Sequence, residues 1–234
     1  IRCYNTNGLW LLPLDKLAKE AQDLVAEGNF SAIKIRLGRS RLADDLHALR
    51  VVRDAIGNEI QLMCDFNQGQ TLQEALWRMH ALDDQGLVWF EEPVVFDNYS
   101  QSAQLARELK TPISIGENIY GPRSFYDAVR AEAADLYMPD LMRIGGVTGW
   151  MRAAAIAGAA GYPLSQLIFF ALAKLLTGWN IVIGVIQLSL SLLRSLTVMR
   201  LFLIVQAMAL NGTKKQWKNI LTSDNGGLRT SARE

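Results

Sequence analysis

Three acidic residues stand at the ends of apolar runs at a constant interval. They are Asp65 in "IQLMCDFNQ", Glu91 in "VWFEEP" and Glu117 in "ISIGEN", each 26 residues from the next. Asp140 in "LYMPDLMR" follows after 23 more, and Lys34 in "AIKIRLG" precedes Asp65 by 31. Any one of these alone is an ordinary polar strand end, and a lone "EEP" serves equally well as the cap of a strand at the solvent edge. An interval equal to one strand-plus-helix unit changes the reading, because in a barrel of parallel strands all the carboxyl ends converge on one face, where active sites are built. Three carboxylates meeting in a partly dry pocket repel one another unless a cation neutralises them. An all-oxygen donor set favours a hard ion such as Mg²⁺. On this reading Glu91 is one ligand of a metal site.

The elements that must position these residues are legible from residue 1 to 165. β-rich runs ("IRCYN", "AIKIRLG", "IQLMCDFNQ", "VWFEEP", "ISIGEN", "LYMPDLMR") alternate with amphipathic helical stretches. "PLDKLAKEAQDLVAEG" has Pro13 in its first turn and Gly28 past its end. "TLQEALWRMHALDDQG" has Thr71 as N-cap, Glu74 three residues later and Gly86 closing it. Repeated βα units of this kind predict an α/β fold around a parallel sheet. A chain of 234 residues, half of them hydrophobic, can bury a sizeable core. With 24 Lys and Arg against 23 Asp and Glu, the net charge of +1 gives no electrostatic case for nucleic acid or an anionic membrane surface. The two cysteines, Cys3 and Cys64, make neither a CxxC pair nor a metal-ligand spacing, and a reducing, cytoplasmic setting is the expectation.

"AIKIR", "DFNQ", "FEEP", "IGEN" and "MPDLMRIGGVTGW", in this order and spacing, resemble the mandelate racemase subgroup of the enolase superfamily over residues 1–165. The resemblance implies a (β/α)8 TIM-type barrel, here incomplete. It also implies Mg²⁺-dependent removal of the α-proton of a 2-hydroxy carboxylate or acid sugar, as a racemase or dehydratase. Carried over residue by residue, it makes Asp65, Glu91 and Glu117 the metal ligands, and Lys34 and Arg36 the two positions of the Lys-x-Lys motif. Asp140 becomes the partner of a catalytic histidine, Asn67 a polar group on the substrate side, and Glu92 a carboxylate behind the ligands. The implied partner is a small carboxylate substrate, with no nucleic acid, and intact relatives are expected to be homo-oligomers.

The sequence departs from that pattern in two places. Arg36 stands where a second lysine is expected, and a guanidinium that keeps its proton fits electrostatics better than proton abstraction. The histidine expected near the seventh strand, after "GYPLS", is absent: the only histidines are His47 and His80, both within helical patterns. After Ser165 the βα grammar stops, and residues 166–210 carry no acidic residue and only Lys174, Arg194 and Arg200 as charges.

Two readings of that tail arise. Translation out of frame is one, since a codon read one nucleotide early across Trp179 and Asn180 must encode Glu, which permits the family's "WLE". A genuine hydrophobic anchor on a membrane-bound binding protein is the other, although Gly178, Asn180 and Gln187 interrupt the run. The first is preferred. It divides the chain into a partial catalytic barrel, 1–165, and an aberrant tail, 166–234, with a capping domain missing and activity impaired.

Overall fold

The computed structural model describes residues 4–165. Five strands, β1 (Ala32–Arg36), β2 (Gln61–Asp65), β3 (Phe90–Glu91), β4 (Ile113–Ile115) and β5 (Leu136–Tyr137), form one sheet in the order of the sequence, every pair parallel. Helices α1 (Leu14–Ala26), α2 (Leu42–Ile56), α3 (Leu72–Leu82), α4 (Tyr99–Glu108), α5 (Gly121–Arg130) and α6 (Gly146–Ala160) alternate with them. Parallel neighbours need such crossovers, and a sheet covered on both faces reads as nearly continuous apolar runs. This is the expected α/β architecture.

Alternation along each strand sorts the side chains into two layers. Ile33, Ile35, Leu62, Cys64, Phe90, Ile113, Ile115 and Tyr137 pack in the main core against the helices. On the opposite, inner face, Tyr4, Ala32, Met63, Trp89 and Leu136 form a smaller apolar cluster. Lys34 and Arg36, Asp65 and Glu91 follow on that same face, at the carboxyl ends of strands whose beginnings supply the apolar cluster. The inner layer thus has an apolar floor and a charged top.

Local sequence explains most boundaries. Leu17, Ala21 and Leu24 fall on one face of α1 and are buried, and Pro13 sits one position before the helix as its N-cap. Thr71 caps α3 with the reciprocal Glu74 bond of a capping box. Two runs are shorter than the sequence suggests. "IRCYN" contributes only a bridge between Asn5 and Ile33, and "LYMPDLMR" pairs with β4 only at Leu136 and Tyr137. "GYPLS" contributes a bridge between Leu164 and Tyr137.

No helix among the described residues is long and apolar enough to cross a membrane. The apolar run after Ser165, with both readings of it, lies outside the described residues.

The acids at the two ends of the strands behave differently. At the amino ends, Asp83 accepts hydrogen bonds from the backbone N–H groups of Lys110 (2.9 Å) and Thr111 (2.7 Å), and Asp135 accepts one from Ile113 (2.8 Å). Those carboxylates stitch connections together. At the carboxyl ends, acids face one another instead.

Candidate active site

Register sets the geometry. Arg36 is opposite Asp65, Asp65 opposite Glu91, and Glu91 opposite Ser114, three positions before Glu117. The sequence-derived ligands therefore lie at the ends of three successive strands, on one side of the sheet. Asp65 and Glu91 are buried completely or nearly so, and Glu117 is half-buried.

Lys34 is buried between two of them. Its Nζ lies 3.0 Å from Asp65 Oδ2 and donates to Glu91 Oε1. Burial alone would push the ammonium toward its neutral form, but Glu91, and after it Asp65, more than reverse this and hold Lys34 above the ordinary lysine range. Arg36 is fixed differently. Its Nη1 donates to the carbonyls of Thr6 (2.7 Å) and Gly8 (2.8 Å), its guanidinium carbon lies 4.3 Å from the Trp10 ring centre, and its Nε is 3.9 Å from Asp65 Oδ2. It is a fixed cation with no geometry for taking a proton.

Asn67, expected toward substrate, braces Asp65: its backbone N–H donates to Oδ1 (2.8 Å) and its Nδ2 to Oδ2 (3.2 Å). Asp140 is buried, and its Oδ1 accepts from the backbone N–H of Met142 and of Arg143 (both 2.9 Å). Its Oδ2 has no hydrogen-bond partner among the described residues. His47 and His80 lie exposed on α2 and α3, so neither meets Asp140.

Sequence reasoning missed three contributors. Trp89 Nε1 donates to Glu91 Oε2 (3.4 Å), while its ring stands edge-on to Tyr4 with centroids 5.4 Å apart. Asn118 donates to both Glu92 and Glu117, and Arg143 Nη1 donates to Asn118 Oδ1 and to the Glu117 carbonyl (3.1 Å). Asn118 and Arg143 lay within motifs already noticed, "IGEN" and "DLMR", but nothing in a motif says which neighbouring strand end its side chain will reach.

The electrostatics fit a divalent cation. Burial pushes the Glu91 carboxyl well up, Asp65 adds repulsion, and Lys34 only partly offsets them. Burial also raises Glu117, against Lys34, with Asp65 repelling it, and raises Glu92 to about 7 with Glu117 contributing. Lys34 bonds Asp65 and Glu91, and Arg36 and Arg143 stand near Asp65 and Glu117, yet the carboxyls of Glu91, Glu92 and Glu117 all remain raised. The donors are all oxygens, which suits a hard ion. No three of these side chains close around a single point among the described residues, where Lys34 bonds two of them.

Gly116 makes room for Glu117. Its φ is +139°, and a Cβ there would come within 2.8 Å of the Met138 backbone on the next strand. Gly116→Ala should destabilise the fold by about 1–3 kcal/mol, the usual cost of overpacking. Denaturant unfolding checks it, and a loss below a few tenths would show that the strand end yields easily.

A parallel α/β sheet with TIM-barrel-like arrangement, carrying buried carboxylates from successive strands on one face beside a lysine, defines the class of barrel-like folds in which the strands' carboxyl ends share one face. The chain belongs to the enolase C-terminal domain-like family, whose model matches residues 16–176.

Among solved structures it resembles an enolase from alpha pretobacterium bal199 with bound Mg, at 51% identity and a TM-score of 0.70, covering 72% of this chain and 47% of that one. L-talarate dehydratase from Polaromonas sp. JS666, complexed with Mg and L-glucarate, matches at 32% identity and a TM-score of 0.68, covering 74% and 48%. Arabinonate dehydratase of Saccharolobus solfataricus is 34% identical over 166 residues, 70% of this chain and 44% of the relative. The chain thus spans less than half the length of these relatives.

Proposed function

We propose that this chain carries the metal-binding and proton-handling face of an enzyme that removes the α-proton of a 2-hydroxy carboxylate or acid sugar, as a racemase or dehydratase. The observation that carries the reading is the set of carboxylates Asp65, Glu91 and Glu117 at three successive strand ends, with Lys34 bonded to two of them. Relatives that are acid-sugar dehydratases, or are solved with Mg and L-glucarate, support it.

Asp65, Glu91 and Glu117 would hold Mg²⁺, which when bound stabilises the negative charge that develops on a substrate carboxylate as its weakly acidic α-proton leaves. Asn67 and Trp89 keep Asp65 and Glu91 oriented. Arg36, immobilised by two carbonyls and the Trp10 ring, supplies a fixed positive charge toward the anionic substrate. Lys34 Nζ, which bonds Asp65 and Glu91 here, would be released from them when they hold the cation and, once deprotonated, would accept the α-proton on that face of the site. The Asp140 carboxylate is placed to orient a second acid/base group, and the sequence holds no histidine to serve as one there.

The reading predicts a split between half-reactions. The 234-residue chain should take up Mg²⁺ and, with a suitable acid sugar, exchange the α-proton with solvent deuterium. Complete racemisation or dehydration should be slower than in whole relatives by about 10²–10⁴, the contribution of one acid/base group. Calorimetric Mg²⁺ titration and NMR in D₂O measure both. Absence of Mg²⁺ uptake, or exchange indifferent to Mg²⁺, would sink the proposal.

A further inference from the structure

We infer that Asn118, itself neither ligand nor acid/base group, is the positioning residue that sets the Glu117 carboxylate for a divalent cation; the inference rests on the metal-dependent reading above. A side-chain amide has a donor end and an acceptor end, and here both are assigned by their neighbours. Nδ2 donates to Glu92 Oε2 (2.6 Å) and Glu117 Oε1 (3.3 Å), the backbone N–H of Asn118 donates to Glu92 Oε1 (3.4 Å), and Oδ1 accepts from Arg143. Turning the amide over would set its oxygen against two carboxylates and its NH₂ against a guanidinium. One side chain therefore joins the ends of β3 and β4 to the loop after β5.

Two features make this bracket matter for Glu117. Its carboxylate is half-buried and accepts a hydrogen bond from Asn118 Nδ2. A glutamate side chain left free would have to be ordered whenever it took a ligand, at a cost in rotamer entropy. The anchor on the other side is also built for the purpose. Glu92 is 1% exposed although its φ is +37°, an uncommon conformation for a residue with a Cβ, and its N–H is held by the Ser114 carbonyl at 3.0 Å. That conformation turns the Glu92 carboxylate inward to meet Asn118.

The test is Mg²⁺ titration by calorimetry on the full 234-residue chain, with Asn118→Ala, Glu92→Ala and the double variant, each shown folded by circular dichroism at the titration temperature. Removing an orienting partner of a ligand typically weakens metal binding about 10–100-fold, and Asn118→Ala should fall in that range. Glu92→Ala should weaken binding in the same direction, and the double variant should be no worse than the weaker single one, because both act through one bracket. Should alanine at 118 fail to fold, Asn118→Leu, close in shape but lacking the amide, gives the same reading. Affinity within twofold of the unaltered chain, or losses that multiply in the double variant, would overturn the role of Asn118. No Mg²⁺ uptake by the unaltered chain would overturn the metal-dependent reading and this inference with it.

Discussion

Lys34→Met should lower the stability of the chain by about 3–5 kcal/mol in the absence of divalent cations, the usual consequence of stripping one partner from a buried ion pair. Lys34, Asp65 and Glu91 are each at most 1% exposed, so water cannot replace the lost ammonium. The sign of the pH dependence follows. Burial and Asp65 already raise the Glu91 carboxyl above its unfolded value, and losing Lys34 removes the positive charge that opposes them. A folded-state pKa above the unfolded one means that the folded state binds the extra proton. Its penalty therefore vanishes below the unfolded pKa and grows as pH rises toward the folded one. The variant should be less impaired near pH 5 than near pH 8. Mg²⁺ at a hundredfold over its dissociation constant should return about 2.7 kcal/mol. Urea unfolding with and without Mg²⁺ measures all three, and a loss under 1 kcal/mol would show that the ammonium is not what neutralises the pair.

A comparable loss, again about 3–5 kcal/mol, is expected for Asp45→Ala. Asp45 is fully buried at the start of α2. Its Oδ2 accepts from Arg78 Nη1 (2.5 Å) and Gly38 N (3.0 Å), its Oδ1 from Arg39 N (3.1 Å) and Arg39 Nη1 (3.4 Å). Alanine would leave Arg78, 8% exposed, without its carboxylate and would release two backbone N–H groups in the loop that follows Arg36. Replacing both charges, as Asp45→Leu with Arg78→Met, should be milder than Asp45→Ala, since a well-packed apolar pair avoids the orphaned charge. Unfolding midpoints of the three proteins decide this. A double variant as unstable as Asp45→Ala would move the weight of the network from Arg78 to the Gly38–Arg39 loop.

These two clusters mark what a sequence can and cannot show. The parallel α/β fold was readable because each βα unit carries its own local signals, such as the Thr71–Glu74 box, and because burial on both faces leaves apolar runs. The pairing of Asp65 with Glu91 was readable for the same reason, since an interval of one βα unit becomes a shared height on neighbouring strands; Glu117 stands three positions beyond Ser114, the residue that pairs with Glu91. The contacts around them were not. Asp45 and Arg78 are 33 residues apart, and Asn118 and Glu92 are 26 apart. Whether two such side chains meet depends on rotamers and on backbone details such as the positive φ of Glu92, which no local pattern announces. Likewise, Arg36 could be excluded as a base from its chemistry, but only the structure shows its attachment to Thr6, Gly8 and Trp10.

The consecutive order of the strands also has a meaning in time. A chain made from its amino end at about 5–20 residues per second presents Lys34 first, then Asp65, Glu91 and Glu117 at intervals on the order of a few seconds. Since every strand pairs with the one synthesised just before it, β2 can dock Asp65 against an ammonium already present, and β3 can add Glu91 to the same ammonium. The reverse order of emergence would confront two carboxylates before any positive charge existed to receive them. Synthesis therefore delivers the counter-charge ahead of the acids that it will hold together.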